Sequence, residues 1–141
     1  MNKLERAQAC ANRMYENDKA SRALGIEIEI PEPGSAVATM TVREDMANGF
    51  DLCHGGLIFT LADTAFAFAC NAYDDVTVAG SGTVEFLRPA FVGDELRAVA
   101  LEEHRGRRSG VYAVEVVNQR GEFVALFRGR AVARGQPLLG G

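Results

Sequence analysis

The sequence predicts an α+β protein in which an antiparallel sheet of about six strands wraps around one long buried helix. The helix is predicted because the segment from Gly55 to about Tyr73 is rich in alanine and apolar on nearly every side, with Asp63 as its one charge. A helix that is apolar all round belongs in a core. The strands are predicted because two strand-like segments precede this helix and four follow it. At this length we expect one domain over residues 1–141.

The composition is that of an ordinary globular protein, with 48% hydrophobic and 24% charged residues. A net charge of −4 argues against a protein that binds nucleic acid through its phosphates. No membrane partner is expected, since the chain has no uncharged apolar run of about 18 residues and its N-terminus lacks the apolar core of a signal peptide. Three cysteines without CxxC spacing and two distant histidines predict a cytoplasmic protein with no metal site.

The first part of the chain reads as a helical segment followed by a hairpin. Apolar or small residues recur at helical spacing from Leu4 to about Asn17, within an N-terminal helical segment over residues 1–24. Residues 26–30 alternate strictly between apolar and charged, as a strand with one buried face does. The sequence PEPG then turns the chain into a second strand over 35–43, and the polar residues 44–53 predict a loop.

The part after the long helix reads as four strands separated by proline, glycine and a basic turn. The tail, residues 135–141, is expected to be loose. The predicted strands are Val76–Leu87, Glu95–Glu103, Val111–Asn118 and Phe123–Arg134.

Asp63 is the first candidate for chemistry, because it is the single charge on the predicted buried helix. A buried carboxylate is costly unless it is paired, hydrogen-bonded or neutralised. One interpretation is structural, a carboxylate that accepts hydrogen bonds from the backbone or from hydroxyls. The other is catalytic, a base or nucleophile whose pKa is tuned by burial.

The pair Gly55 and Gly56 lies where this helix is predicted to begin. Glycine lets a substrate approach the backbone closely, and the first helical turn offers unpaired N–H donors. These are the properties of an oxyanion hole, although a glycine pair also suits a tight turn. The eight residues from Gly55 to Asp63 span about 12 Å of helix, too far for both to reach one reacting atom. Two antiparallel copies of the helix would bring them together and cover its apolar surface, so we expect a homodimer.

His54 directly precedes the helix and is predicted to anchor the loop or to donate to a substrate carbonyl, rather than to act as a general base. A nucleophile built from Cys53 and His54 is disfavoured, because neighbouring side chains in an extended segment point to opposite sides.

A basic turn, RGRRSG at residues 105–110, stands out in an acidic protein. One interpretation is a solvated hairpin loop, since exposed charge clusters are common. The other is a clamp for the phosphates of an anionic ligand, formed by Arg105, Arg107 and Arg108 with Arg88 as a further member.

With these residues in place, the chain resembles the hot dog fold acyl-CoA thioesterases of the phenylacetic acid degradation (PaaI) type. The resemblance runs from about Met14 to Arg134, and its core is the loop at Asn48, the motif HGGLIFTLADTAFAFACN and the segment SGTVEFLRPA at Ser81–Ala90. It implies hydrolysis of an acyl-CoA thioester to a carboxylic acid and coenzyme A, with no metal or other cofactor. It also implies active sites at a homodimer interface, with two dimers in a homotetramer.

The resemblance further implies roles for single residues. The Gly55 N–H would polarise the thioester carbonyl, helped by His54 and Asn48. Asp63 of the other subunit would act as general base on water, or as nucleophile through a mixed anhydride. Ser81 would hold the water or the aspartate.

The favoured substrates are phenylacetyl-CoA and its hydroxylated relatives. Medium-chain or benzoyl-type acyl-CoA thioesters are the alternative within the enzyme class. Outside that class, the chain could be a non-catalytic acyl-CoA-binding hot dog protein, but its N-terminus does not resemble the basic DNA-binding segment that such regulators normally carry. A hot dog hydratase would need an Asp/His pair arranged for α-proton chemistry, for which Asp63 and His54 are a poor match.

Overall fold

The computed structural model of the chain describes residues 1–140, which form three α-helices and six β-strands. A capping box between Asn2 and Glu5 begins the first helix, and Gly25, at a φ of 72°, follows the helical segment and turns the chain into the sheet. The helices are α1 (Lys3–Asn17), α2 (Lys19–Ala23) and α3 (Gly55–Cys70); the strands are β1 (Glu27–Glu29), β2 (Ser35–Thr41), β3 (Thr77–Phe86), β4 (Glu95–Arg105), β5 (Ser109–Val117) and β6 (Phe123–Ala133); a single 3-10 turn spans Glu44–Met46.

The six strands form one antiparallel sheet in the order β1-β2-β4-β5-β6-β3. The chain leaves β2, crosses the face of the sheet as α3 and returns as β3 at the far edge. One edge of β3 is bonded to β6, and its other edge has no partner among residues 1–140. The predicted α+β architecture, an antiparallel sheet of six strands around one long helix, is confirmed.

Helix α3 packs against every strand from β2 to β6. Its buried side includes Phe66, whose ring lies between those of Tyr112 and Phe127 with both centroids 5.6 Å away. None of the helices within residues 1–140, α3 included, is long and apolar enough to cross a membrane.

The remaining side of α3 is not fully covered by the sheet. Helical spacing places a row of partly or fully exposed residues along that side, which we call the open stripe. Its members are Gly56, Phe59, Thr60, Asp63 and Ala67. A single subunit therefore leaves uncovered the face of the helix that carries its one charge.

Two helical boundaries differ from those that the sequence predicts. Helix α3 ends at Cys70 rather than near Tyr73, because the Asn71 side chain donates to the carbonyl oxygens of Ala67 and Thr77, both at 2.9 Å, and so turns the chain towards β3. The sequence pattern also does not distinguish α2 from α1; α2 is a short helix that Asp18 caps by accepting from the Ser21 N–H at 2.9 Å.

The tail, predicted to be loose, forms no helix or strand over residues 135–140, and two aspartates bind the backbone of residues 135–139. Asp75 Oδ1 accepts from the backbone N–H groups of residues 135 and 136 at 2.8 and 3.1 Å, and Asp74 Oδ1 accepts from those of residues 138 and 139 at 2.9 and 2.8 Å. These partners lie far apart in sequence, so local composition does not reveal them. The last residue of the predicted tail, Gly141, lies outside the described residues.

Candidate active site

The loop before α3 is built around Asn48. Its Oδ1 accepts from the backbone N–H groups of Phe50 and Leu52 at 2.9 and 3.2 Å, and its own N–H donates to the Leu52 carbonyl at 2.7 Å. Asp51 takes a positive φ of 61° to close this turn. Since Oδ1 is occupied and Nδ2 has no acceptor within residues 1–140, the free hydrogen-bonding group of Asn48 is a donor.

His54 is the N-cap of α3. Its Nδ1 accepts from the Gly56 N–H at 3.3 Å, and its backbone N–H donates to the Met46 carbonyl at 2.8 Å. The acceptor role assigns the proton of a neutral ring to Nε2, which leaves His54 with a donor facing outward. These contacts hold the His54 ring against the first turn of α3 and its backbone against the preceding loop.

The two glycines at the start of α3 differ in what they offer. The Gly56 N–H is taken by His54, whereas the Gly55 N–H has no acceptor in the described part of the chain. The Phe86 ring lies close to this glycine, since a Cβ at Gly55 would lie 3.3 Å from Phe86 Cζ and the ring would have to shift to admit it. One free donor at the positive end of a helix is therefore presented beside an aromatic wall.

A groove of about 290 Å³ opens beside this donor. Apolar side chains of Leu52, Ile58, Phe86 and Leu87 line it, and Arg88 stands among them. An apolar groove that ends at an unpaired N–H suits a ligand with an apolar body and a carbonyl group.

Asp63 lies on the open stripe, half-buried, and its carboxylate has no hydrogen-bond partner among the described side chains and backbone. Burial raises the pKa of this carboxyl above its usual value. Because α3 is one continuous helix, Asp63 stands about 12 Å along the axis from Gly55. One subunit therefore holds the donor and the carboxylate but does not bring them together.

Ser81 is exposed on β3, next to a register shift between Ala79 and Ser81 in its pairing with β6. The shift falls at Gly80, where a Cβ would lie 2.7 Å from the guanidinium of Arg130. Ser81 thus lies on the strand whose outer edge is unpaired within residues 1–140.

The four arginines that the sequence groups together fall into two places. Arg88 lines the groove beside Gly55 and lies 3.6 Å from a carboxylate oxygen of Glu122. The other three border a small cavity with Cys70, at the opposite end of α3 and so about 22 Å along the axis. Within one subunit, Arg88 therefore lies apart from the basic turn. The sequence does not reveal this, because it does not show which end of the helix the strand end before Pro89 faces.

The three remaining arginines also differ from one another. Strand β4 runs through Arg105, so only Arg107 and Arg108 stand at the exposed tip of the hairpin. The guanidinium carbon of Arg105 instead lies 3.7 Å from the ring centroid of Tyr73.

Sequence reasoning missed two contributors, one at each end of α3. Phe86, the aromatic wall beside Gly55, lies inside the segment SGTVEFLRPA without being singled out. Glu102, which accepts hydrogen bonds from Tyr73 and Tyr112, is the one acid at an inward position of β4 after Ala98 and Ala100. A charge in an apolar alternation is the signal that would have found it.

A long helix laid across a six-stranded antiparallel sheet is the architecture of the hot dog class of protein. The model of the thioesterase superfamily matches residues 50–125. The acyl-coenzyme A thioesterase PaaI of Escherichia coli (strain K12) is 51% identical over 130 residues, which are 92% of this chain and 93% of that protein. The chain belongs to the thioesterase superfamily.

Solved structures agree with this assignment. The structure of the E. coli PaaI protein from the phenylacetic acid degradation operon matches with a TM-score of 0.94 and 48% identity, over 96% of this chain and 99% of that one. A Streptococcus mutans protein, smu.793, solved with bound acetyl-CoA, matches with a TM-score of 0.75 and 26% identity over 79% of this chain and 90% of that one. The predicted resemblance to hot dog acyl-CoA thioesterases is confirmed.

Proposed function

We propose that this protein hydrolyses acyl-CoA thioesters of the phenylacetyl-CoA and hydroxyphenylacetyl-CoA type to the free acid and coenzyme A. The observation that carries the proposal is that α3 presents both a free Gly55 N–H and a half-buried Asp63 carboxylate without a hydrogen-bond partner among the described residues. The PaaI relative, itself named an acyl-CoA thioesterase, supports the same chemistry.

In the proposed reaction, the Gly55 N–H binds the thioester carbonyl oxygen. Asn48, which lines the same groove, and His54, which caps the helix, provide the assisting donors. Asp63 of the partner subunit takes a proton from water, which attacks the carbonyl carbon; the C–S bond then breaks and the thiolate of coenzyme A leaves and is protonated. In the alternative route, the Asp63 carboxylate attacks directly and water hydrolyses the resulting mixed anhydride. Ser81 holds the water or the carboxylate in either route.

A homodimer is part of the proposal, because the site is incomplete without it. Two antiparallel copies of α3 would cover each other's open stripe and set Gly55 of one opposite Asp63 of the other. The outer edge of β3, ten residues long, supports the same arrangement, since its unpaired backbone groups can pair with a strand of another chain. The outer face of the sheet exposes Leu101, Phe123 and Leu126 at 48%, 47% and 42%, and we assign to it the contact between two dimers of a homotetramer.

The basic turn is proposed to hold the phosphates of coenzyme A through Arg107 and Arg108. In the antiparallel dimer, the groove with Arg88 of one subunit faces the same end of the interface as the basic turn of the other, because Asp63 is about 10 Å from Cys70 along α3. Each composite site then draws basic residues from both subunits. Coenzyme A belongs to the substrate, so no further cofactor enters the scheme, and a cytoplasmic location fits the three free, buried cysteines.

The proposal is tested by thiol release from a panel of acyl-CoA esters with the purified protein. We expect phenylacetyl-CoA and hydroxyphenylacetyl-CoA to give a kcat/KM above those of medium-chain and benzoyl esters. A preference for an aliphatic ester would contradict the substrate class. Tight binding of every ester without thiol release would contradict the enzymatic function and leave a non-catalytic acyl-CoA-binding protein.

A further inference from the structure

Beside the basic turn, one carboxylate and two tyrosines form a group that the proposed reaction does not use. Tyr73 Oη and Tyr112 Oη both donate to a single oxygen, Glu102 Oε1, at 2.7 and 2.8 Å. Tyr112 is buried on β5, whereas Tyr73 lies on the loop that follows α3. We call these three residues the Glu102 cluster. It joins the C-terminal end of α3 to β4 and β5.

The cluster is closely enclosed. A Cβ at Gly34 would lie 3.0 Å from Tyr73 Oη and 3.1 Å from Glu102 Cδ, and the Gly34 carbonyl accepts from the Glu102 N–H at 3.0 Å. Burial and the hydrogen bond to Glu102 raise the pKa of Tyr73 to about 12, so its hydroxyl remains a donor at neutral pH. Both tyrosine hydroxyls therefore donate to a carboxylate, the kind of hydrogen bond that charge strengthens.

A β-bulge determines that Arg105 joins this group. Glu102 pairs with Tyr112, but the next partners are His104 with Val111 and then Arg105 with Gly110, so β4 has one residue more than β5 between these pairs. In a regular strand, Arg105 would point to the face opposite Glu102, since side chains alternate. The extra residue reverses that alternation and turns Arg105 to the side of the cluster, where its guanidinium stacks on the Tyr73 ring at 3.7 Å.

We propose that the Glu102 cluster is a positioning device that holds the basic turn beyond the C-terminal end of α3, at a fixed distance from Asp63. The inference rests on the proposed function, because it takes the ligand of the turn to be the nucleotide part of coenzyme A. The cluster acts through the turn, so Glu102, Tyr73 and Tyr112 are positioning residues and do not themselves contact the thioester.

The distance between Asp63 and the basic turn is determined by the helix. Asp63 and Cys70 are seven residues apart on α3, about 10 Å, and Cys70 borders the cavity formed by the turn. Tyr73 continues directly from that helix end, and Arg105 stacks on it at the base of the hairpin. The turn that carries Arg107 and Arg108 is thus tied to the same helix that carries Asp63. Loss of the tie should loosen phosphate binding while the reacting groups stay in place.

The test uses Tyr73→Phe, which removes one hydrogen bond but keeps the ring under Arg105, and Glu102→Gln, which keeps an acceptor but removes the charge that strengthens both tyrosine hydrogen bonds. The matched control is Glu103→Gln, which removes an equal charge from the neighbouring residue, exposed and paired at 3.0 Å with Arg128. We expect each cluster variant to raise the KM for an acyl-CoA ester about fivefold, the scale of one hydrogen bond. The KM for the matching acyl-pantetheine ester, which lacks the nucleotide, should not change, and neither should the kcat for either ester.

Hydrogen–deuterium exchange of the amides of residues 105–110 gives a readout that does not depend on the ligand. Exchange should accelerate in both cluster variants and not in Glu103→Gln. If exchange and both KM values stay at wild-type levels, or if both esters are impaired equally, the cluster is only a structural element and the inference is wrong. If Arg107→Ala/Arg108→Ala leaves the KM for the CoA ester unchanged, the turn does not bind phosphate. Both proposals, phosphate binding by the turn and its positioning by the Glu102 cluster, are then wrong, even where exchange has accelerated.

Discussion

At the scale of single residues, Asp63 is the one charged side chain on α3 and the proposed base or nucleophile of the reaction. Asp63→Asn keeps the shape of the side chain and removes its capacity to act as base or nucleophile. We expect kcat to fall by at least about 10², the usual effect of removing a positioned acid–base group. Thiol release by a folded preparation, checked by circular dichroism, measures the loss. Turnover at the wild-type rate would exclude both proposed routes.

The raised pKa of Asp63 gives a second prediction at this scale. Burial disfavours the charged form, so the carboxyl should lose its proton at a pH above the ordinary aspartate value of about 3.9. The carboxylate is the active form, and kcat/KM should therefore fall as the pH drops through the raised pKa. Stability should change in the opposite direction and decrease as the pH rises. Because the carboxyl has a higher pKa in the folded than in the unfolded protein, its protonation stabilises the fold fully below the unfolded pKa, and this contribution is lost as the pH rises through the folded pKa.

Asp63→Asn separates the two effects. The variant cannot ionise at this position, so its thermal stability should exceed that of the wild type at pH 7 and the difference should vanish in acid. Parallel thermal melts of both proteins across the pH range measure this. A variant that is less stable than the wild type at pH 7 would indicate that the carboxylate has a charged partner, and would contradict its isolation on the open stripe.

At the scale of elements, the closeness of α3 to the sheet depends on Gly129 in β6. A Cβ at Gly129 would lie 2.9 Å from Phe66 Cε2 and 3.0 Å from Phe127 Cε1, and the Phe66 ring is fixed between its aromatic neighbours. Gly129→Ala should lower the free energy of unfolding by about 1–3 kcal/mol, the cost of overpacking a core. Urea denaturation measures it, with Arg128→Ala as control, because an exposed ion pair contributes little. Equal stabilities would contradict the tight packing.

The basic turn gives the second prediction for an element. Arg107→Ala combined with Arg108→Ala should raise the KM for acyl-CoA esters several-fold and flatten its dependence on salt, since exposed phosphate contacts are weak and screened. The effect on kcat should be small, as expected when uniform binding is lost. Steady-state kinetics with acyl-CoA and acyl-pantetheine esters measure the difference. Equal impairment on both esters would favour the solvated-loop interpretation.

Local sequence patterns were sufficient to predict the long helix and the six strands, but not the short helix α2. The apolar run at 55–73 predicts α3 because a helix apolar on all sides has one place in a small protein, and the alternation of 26–30 predicts β1. The face on which Arg105 lies was not predictable, because a one-residue bulge reverses it and leaves no trace in composition. The hydrogen bonds that hold the tail and the Glu102 cluster join residues distant in sequence, so no local pattern contains them.

At the scale of the whole molecule, the proposed site takes Gly55 and Asp63 from two different chains, because about 12 Å separates them along one helix. Mixing two inactive variants tests this. One variant is Asp63→Asn. The other is Gly55→Val: a Cβ at this position would already lie 3.3 Å from Phe86 Cζ, so the larger branched side chain should block access to the Gly55 N–H.

A dimer of one subunit of each kind contains one site with both Gly55 and Asp63 intact, and one site that has lost both. Random exchange of equal amounts makes half of the dimers mixed, so activity should recover to about one quarter of the wild-type value. Native mass spectrometry verifies the exchange, and each variant alone, carried through the same treatment, provides the baseline. If mixed dimers form and remain as inactive as the parents, Gly55 and Asp63 do not meet across the interface, and the antiparallel arrangement of the two helices is wrong.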